Sequence, residues 1–437
     1  MTVAEARQGS GMAGSERRVL AATLVGTTIE WYDFFIYAQA AALVFGALFF
    51  GPLTRNDPFA AQIIAFATIG ISFLFRPLGA IVCGHLGDRF GRRSVLVFTL
   101  VLMGAATALI GLLPTYAQIG VWAPILLVLL RIVQGFSAGG EWGGAALMAV
   151  EYAPADRRSV FGSFPQVGVP LGMILATGVL LGLTLLLGQE AMTQWGWRVP
   201  FLFSILLIVI GAVIRFSIEE TPVFRALQQR RRESAAPLNE LFAGHSGRIL
   251  RTALTFIANN AAGYILIAFM ISYGGKVAKL PQAQLLAVAT LSAFTWLLFT
   301  LLGGWLGDRI GRIRTFQIGY ALLFLWAVPM WFLIDSQSIG LFAVAAIGLS
   351  VPLGLTYGPQ AALFAELFPA KIRYSGISVA YALGAILGGA FAPTIAEWLL
   401  ARTGQSWSVG VYLAVLSVIS FLAITAIEDP QGVDLNG

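Results

Sequence analysis

Two carboxylates three residues apart, Glu30 and Asp33, stand in the stretch GTTIEWYDFF (26–35), inside a long apolar run. Three more ionisable groups lie within similar runs: Arg76, Arg131 and Glu141. A charge at a bilayer centre costs about 2.5–3.5 kcal/mol on insertion scales, so each such group needs a partner or a wet cavity. Acids placed this way can exchange protons, and a guanidinium offers bidentate, permanently charged recognition of a carboxylate. Neutral hydrogen-bonding groups recur in comparable positions: Gln134, Gln166, Asn259, Asn260, Tyr264, Tyr357, Gln360 and Tyr381. Their amides and phenols suit the hydroxyls of a polar solute. The single cysteine, Cys83, and the two distant histidines, His85 and His245, make no metal-ligand set. No nucleophile–base constellation stands out, so neither an enzyme nor a metal or organic cofactor is expected.

The elements that carry these groups are set by composition. Of 437 residues, 58% are hydrophobic and 11% charged, against about a quarter charged in an average soluble domain. Mean hydropathy is +0.82. The apolar residues fall in runs of about 20 or more, the length that spans a bilayer's hydrocarbon core. Twelve spans are predicted, at 19–50, 59–86, 94–113, 121–151, 158–187, 198–217, 249–274, 283–306, 314–334, 339–367, 374–400 and 407–427. The 49 glycines lie within the runs, where small residues let helices approach closely. The first run is too long for a signal peptide and carries Glu30 and Asp33, so it reads as a retained helix.

The net charge of +6 does not mark a nucleic-acid binder, because the basic residues follow topology. Of 27 Lys and Arg, two (Arg76 and Arg131) lie within spans. Five (Arg55, Arg198, Lys276, Lys279 and Arg402) fall in the loops opposite the termini, and the other 20 fall on the terminal side. That bias predicts both termini in the cytoplasm, and the expected location of this multi-pass protein is a bacterial inner membrane.

The chain also repeats itself. GHLGDRFGRR at 84–93 returns as GWLGDRIGRI at 304–313, and EYAPADRR at 151–158 returns as ELFPAKIR at 366–373. Each falls at the equivalent place in its half. The predicted organisation is therefore a tail at 1–18, a six-helix bundle at 19–218, a polar linker at 219–248, a second six-helix bundle at 249–427 and a tail at 428–437. Two halves repeated in the same orientation are a transporter architecture, with the solute site between them near the midplane.

The paired G-x-L-x-D-R-x-G-R-R loops resemble the signature of the major facilitator superfamily. FRPLGAIVCGHLGDRFGRR, RIVQGFSAGGEWGGAALMAVEYAP, WGWRVPFLFS and RYSGISVAYALGAILGGAFAPTIA resemble its metabolite:proton symporter branch, over nearly the whole chain. The resemblance implies an all-α major facilitator fold, twelve transmembrane helices in two pseudo-symmetric halves. It also implies a carrier of organic acids such as shikimate, 2-oxoglutarate or citrate, or of proline and betaine. The segment GVPLGMIL (168–175) lacks the Gly-Pro and Gly-Gly pairs of drug antiporters, and the eight residues after Asp429 differ from the long helical tail of osmosensing betaine carriers.

Helical rise places Glu30 about 18–20 Å from the terminal face, Asp33 about 22–24 Å, Arg131 about 30 Å, and Arg76 and Glu141 about 15 Å. An outer tier then holds Asp33, Arg131 and Gln134, and an inner tier Glu30, Arg76 and Glu141. In the resembled fold spans one, two and four adjoin, so these groups can meet. The expectation is that Arg131 binds the solute's carboxylate and Asp33 carries the proton. A proton on Asp33 frees Arg131 for the anion, and its loss restores an Asp33–Arg131 pair and expels the solute. Glu30, Glu141 and Arg76 are assigned to the same proton machinery. Gln134, Gln166, Asn259, Asn260, Tyr264, Tyr357, Gln360 and Tyr381 are assigned to the solute.

By resemblance, Asp88, Arg89, Gly91, Arg92, Asp308, Arg309 and Gly311 gate the terminal face, with the aspartates capping a helix or meeting an arginine across the halves. GGEWGG (139–144) lacks the Gly-Lys-Ser/Thr of a nucleotide loop and reads as close packing. Trp122, Trp195, Trp197, Trp331 and Trp407 read as interfacial anchors. The leading expectation is a proton-coupled importer of a small organic acid, functional as a monomer, with the bilayer and protons as partners. The alternatives are a zwitterion symporter, with Trp31, Tyr32 and Tyr37 caging a cation, and a non-transporting sensor.

Overall fold

The computed structural model describes residues 14–90, 92–139, 141–151, 153–217, 237–369, 372–433 and 435. Among these, every regular element is a helix. The first span runs through Gly14–Ala40 and on into a wider-wound segment, Ala41–Phe50. Span two is Pro58–Phe90 and span three Arg92–Leu112. Span four is Trp122–Ser137 followed, after a break, by Glu141–Glu151. Spans five and six are Arg158–Ala191 and Arg198–Ser217.

Span seven begins with Pro237–Leu254 and reaches Lys276 in short segments. Span eight is Gln282–Ile310. Span nine is Arg312–Ala327 and Pro329–Ile334, and span ten is Ile339–Tyr357 and Gln360–Leu367. Span eleven comprises Arg373–Ala385, Ile386–Ala390 and Ala392–Thr403, and span twelve is Trp407–Thr425. Most ends match the apolar runs within a few residues. The exception is span seven, whose helix starts inside the polar stretch read as linker.

Nine of these described helices are long and apolar enough to cross a membrane on those criteria alone. Spans three and six are shorter apolar helices, Phe98–Leu112 and Arg198–Val213, and span nine is broken before Pro329. Together they make twelve helical spans in two halves, the arrangement that the resemblance implies. Large apolar side chains face outward, such as Leu186 at 83% exposure and Leu325 at 66%, where lipid rather than water would cover them. Pro77, Pro165, Pro170 and Pro352 sit inside helices, which is tolerated where neighbouring helices re-satisfy the freed backbone groups.

Glycine sets how the halves are built. In the first, a Cβ on Gly135 would lie 1.9 Å from the Ser72 carbonyl oxygen, and one on Gly79 would lie 1.8 Å from that of Phe136. Spans two and four therefore meet backbone to backbone, and no larger residue fits. The second half repeats the device, because a Cβ on Gly358 would lie 2.3 Å from the Thr300 carbonyl oxygen, joining spans eight and ten. Between the halves, span five packs along span eight, span two along span eleven, and span one against the middle of span seven.

Candidate functional site

Span one carries two different faces. A helix turns 100° per residue, so Trp31 and Phe35 share one side while Asp33 points nearly the opposite way. Trp31 and Phe35 line a narrow cavity between the halves. Val169 of span five also borders it, opposite Phe256, Asn259, Asn260, Gly263, Tyr264, Ile267, Trp296, Tyr357 and Tyr381 of the second half. Of the residues expected to meet a solute, Asn259, Asn260, Tyr264, Tyr357 and Tyr381 are on this wall.

Several hydrogen-bonding atoms of the wall have no partner: the indole nitrogens of Trp31 and Trp296, the Tyr264 hydroxyl and Asn260 Oδ1. Asn259 is bound, its amide donating to Leu353 O at 2.9 Å and to Thr356 Oγ1 at 2.6 Å. Gln166 and Gln360 do not line the cavity. They join the halves beside it, with Gln166 donating to Tyr357 O and to Gln360 Oε1, both at 3.3 Å, while Trp142 donates to Gln166 at 2.8 Å.

Asp33 lies at 2% exposure on the far side of span one. Its carboxylate accepts a hydrogen bond from Ser204 of span six at 2.5 Å, and the Thr107 hydroxyl of span three stands beside it. Gln134 donates to that same Thr107 hydroxyl at 2.7 Å and accepts from Arg131 Nη1 at 2.7 Å. A polar chain thus runs Asp33–Thr107–Gln134–Arg131. This differs from the expected direct pair, because no ion pair joins Asp33 to Arg131 among the described residues.

Arg131 is completely buried and uses its fork on protein atoms. It donates to Thr68 O and Ile69 O at 3.3 Å and to Ser72 Oγ at 2.6 Å, besides Gln134, and its guanidinium lies 3.8 Å above the Tyr37 ring. A guanidinium has five N–H groups, so little is left over for a solute. Tyr37 is thereby covered, and the Tyr32 hydroxyl donates to Pro200 O at 2.7 Å. Two of the three aromatics considered as a cation cage are already engaged.

Arg76 is different. It is 6% exposed, held between Phe34 and Phe73 at 4.3 Å from each ring centroid and 5.6 Å from Trp31. Its Nε and Nη2 have no hydrogen-bond partner. Glu30 is buried and does have a partner, and the side chain of Glu141 lies outside the described residues.

At the terminal face, a cluster of charges ties the halves together. The Asp308 carboxylate accepts from the backbone N–H groups of Ser159 and Val160, each at 2.9 Å, and so caps span five from the opposite half. It also meets Arg312 of its own half at 3.3 Å. Gly311 takes φ +97°, where a residue with a side chain is strained. Arg309 stacks over Trp305 at 4.7 Å and points outward. Gly91 and the side chains of Asp88, Arg89 and Arg92 lie outside the described residues.

Sequence reasoning missed the strongest part of this cluster. Glu366 accepts from Arg158 at 3.2 Å and from Arg312 at 3.1 Å, and Arg373 meets Glu151 at 3.7 Å. The pairing is reciprocal, each half's glutamate taking the other half's arginine. The signal was present, since EYAPADRR and ELFPAKIR each place Glu seven residues before Arg. The tail joins in, with Val433 O accepting from Arg158 at 2.6 Å and Leu435 O from Arg373 at 2.9 Å. At the other face Lys276 donates to Gln62 Oε1 and Thr290 to Thr177 at 2.8 Å. Bonds therefore cross between the halves on both sides of the cavity.

Comparison with known proteins agrees with this architecture. Residues 19–242 match the family model "Sugar (and other) transporter", and residues 289–436 match "Major Facilitator Superfamily". The chain is 38% identical over 421 residues to the shikimate transporter of Escherichia coli (strain K12), covering 95% of each chain. It is 34% identical over 433 residues to a proline/betaine transporter of Salmonella typhimurium, covering 97% of this chain and 86% of the relative. The partially occluded, inward-open xylose transporter XylE of Escherichia coli superposes with a TM-score of 0.74 at 16% identity, over 95% of this chain and 99% of XylE. At that identity the likeness is one of fold.

Proposed function

The chain belongs to the major facilitator superfamily and is a membrane transporter rather than an enzyme; from that premise we propose that it imports a small organic acid anion together with a proton, by alternating access. The observation that carries the reading is the double-faced first span. One face borders the inter-half cavity with an unpartnered Trp31 indole, and the other holds a carboxylate, Asp33, sealed from water. A solute on one side and a proton on the other then act on the same helix.

The ionised Asp33 accepts from Ser204, which fixes span one against span six. A proton arriving on Asp33 turns an acceptor oxygen into a donor. The Ser204 and Thr107 hydroxyls must reorient, and the chain through Gln134 to Arg131 is reset. Arg131 anchors that chain. An anion in the cavity and a proton on Asp33 together bring the moving charge to zero, which lowers the cost of carrying both past the bilayer centre.

The charge asymmetry of the loops supports a cytoplasmic terminal face and an inner-membrane location. The reciprocal Glu366–Arg158 and Glu151–Arg373 pairs, with Asp308 on span five, then form the cytoplasmic gate. Lys276–Gln62 and Thr290–Thr177 close the outer side. One chain contains both halves, so a monomer suffices. Shikimate, proline and betaine, named for two relatives, all carry a carboxylate.

The test of substrate class is counterflow. Purified protein in liposomes preloaded with unlabelled solute should exchange labelled shikimate well above empty vesicles and betaine poorly. Exchange of betaine alone, or of neither shikimate nor 2-oxoglutarate, overturns the organic-acid reading.

A further inference from the structure

Arg131 was expected to hold the solute's carboxylate, yet its N–H groups are committed to Thr68, Ile69, Ser72 and Gln134. Arg76 is the buried guanidinium with capacity left. Its Nε and Nη2 lack partners, and no ion pair joins it to a carboxylate whose side chain is described. Its surroundings are Phe34, Phe73 and Trp31. Ring faces attract a cation. That attraction is smaller than the desolvation penalty of a buried, unpaired ion. An uncompensated charge in this position calls for an anion.

The geometry places that anion at the edge of the inter-half cavity. Trp31, 5.6 Å from the Arg76 guanidinium, is itself a cavity wall. Phe73, which covers one face of Arg76, stands 5.4 Å edge-on to Tyr264 of the second half, and the Tyr264 hydroxyl is unpartnered. Tyr264 and Tyr381, both on the wall, lie within electrostatic reach of Arg76. The backbone fixes the base of the side chain, because a Cβ on Gly139 of span four would lie 2.4 Å from the Arg76 carbonyl oxygen. Span two cannot shift there without span four.

We infer that Arg76 is the anchor for the substrate carboxylate, not part of the proton machinery, and that the substrate is a monocarboxylate with a compact uncharged body carrying hydroxyl groups. The inference rests on the organic-anion reading above. Among the described residues Arg76 is the guanidinium beside the cavity whose Nε and Nη2 lack partners, and one guanidinium fork matches one carboxylate. The body of the solute then lies against Trp31, Trp296 and Tyr264. Their indole N–H and phenol groups meet its hydroxyls, and their ring surfaces meet its carbon skeleton. The paired aromatic faces around Arg76 are filled by the arginine itself, so a substrate ammonium is not wanted there.

The test is binding of shikimate and of its uncharged methyl ester to the purified full-length protein, read by titration calorimetry. Wild type should prefer the acid strongly. Arg76→Gln should weaken the acid by at least about 30-fold, the low end of the scale for removing one partner of a buried charge pair, and leave the ester unchanged, which abolishes the preference. Arg76→Lys keeps the charge without the fork and should lose about tenfold while retaining a preference. If Arg76→Gln does not fold, Arg76→Lys decides, and wild-type affinity in it overturns the assignment. Equal binding of acid and ester by wild type, or an unaltered preference in Arg76→Gln, also overturns it. If wild type binds no carboxylate at all, the organic-anion reading falls and takes this inference with it. Binding by wild type that survives in Arg76→Gln sinks the anchor alone.

Discussion

The Asp33→Asn protein is expected to exchange shikimate across a liposome membrane at near the wild-type rate and to lose all accumulation driven by an acidic exterior. A tenfold ratio corresponds to 1.36 kcal/mol, the value of one pH unit for one proton. For one proton per anion, a gradient of about two pH units therefore supports about 100-fold accumulation in wild type. The variant should reach only equality of inside and outside. Asparagine keeps the size of the side chain and an oxygen that can accept from Ser204, whose hydrogen bond to Asp33 is 2.5 Å long. It cannot carry the proton. A fold defect would remove exchange as well, so the split between exchange and accumulation isolates the coupling role. Gradient-driven uptake that survives in Asp33→Asn would place the proton elsewhere.

Glu366→Gln is expected to loosen the closure of the terminal face. The Glu366 side chain is completely buried between Arg312, also completely buried, and Arg158 at 9% exposure. Glu366→Gln leaves Arg158 without its carboxylate and Arg312 with Asp308 alone, and breaking a buried pair costs about 3–5 kcal/mol. The cost falls on the state in which the terminal face is closed, because only there do the two halves share the glutamate. Opening at that face should rise by a factor of about 100 or more. A cysteine at Ser163, buried in span five beneath the cluster, reports the change in a Cys83→Ser background. Its reaction with a maleimide added from the terminal face should accelerate correspondingly in Glu366→Gln. Unchanged labelling would mean that the cluster holds the fold together without acting as a gate.

The spans were legible because their signal is one-dimensional. A run of about 20 apolar residues needs no partner to be recognised, and the repeated GDR loops and EYAPADRR/ELFPAKIR segments gave the two halves. Span seven's early start at Pro237 was not legible, since PLNELFAGHSGR has neither the length nor the hydropathy of a span. Within the site, the buried positions of Asp33 and Arg131 followed from their place in apolar runs. Their partners did not. Ser204, Thr107, Thr68 and Ser72 are ordinary hydroxyl residues on other helices, and a hydroxyl in an apolar helix usually bonds its own backbone.

The division of labour between the two arginines was equally hidden. Arg76 and Arg131 both read as mid-span cations, and which one is saturated depends on Thr68, Ile69 and Ser72 meeting span four through Gly135. The cross-half pairing of Glu151 with Arg373 and Glu366 with Arg158 was half visible. The spacing repeats in sequence, but reciprocity requires the two halves to be placed face to face.

Shikimate uptake into proteoliposomes tests coupled transport most directly. The internal shikimate concentration is followed at equal pH and with an exterior more acidic by about two units, in the presence and absence of a protonophore. The account predicts equilibration alone at equal pH, accumulation of up to about 100-fold with the gradient, and collapse of that accumulation on adding the protonophore. Uptake that reaches the same level with and without the gradient would contradict it.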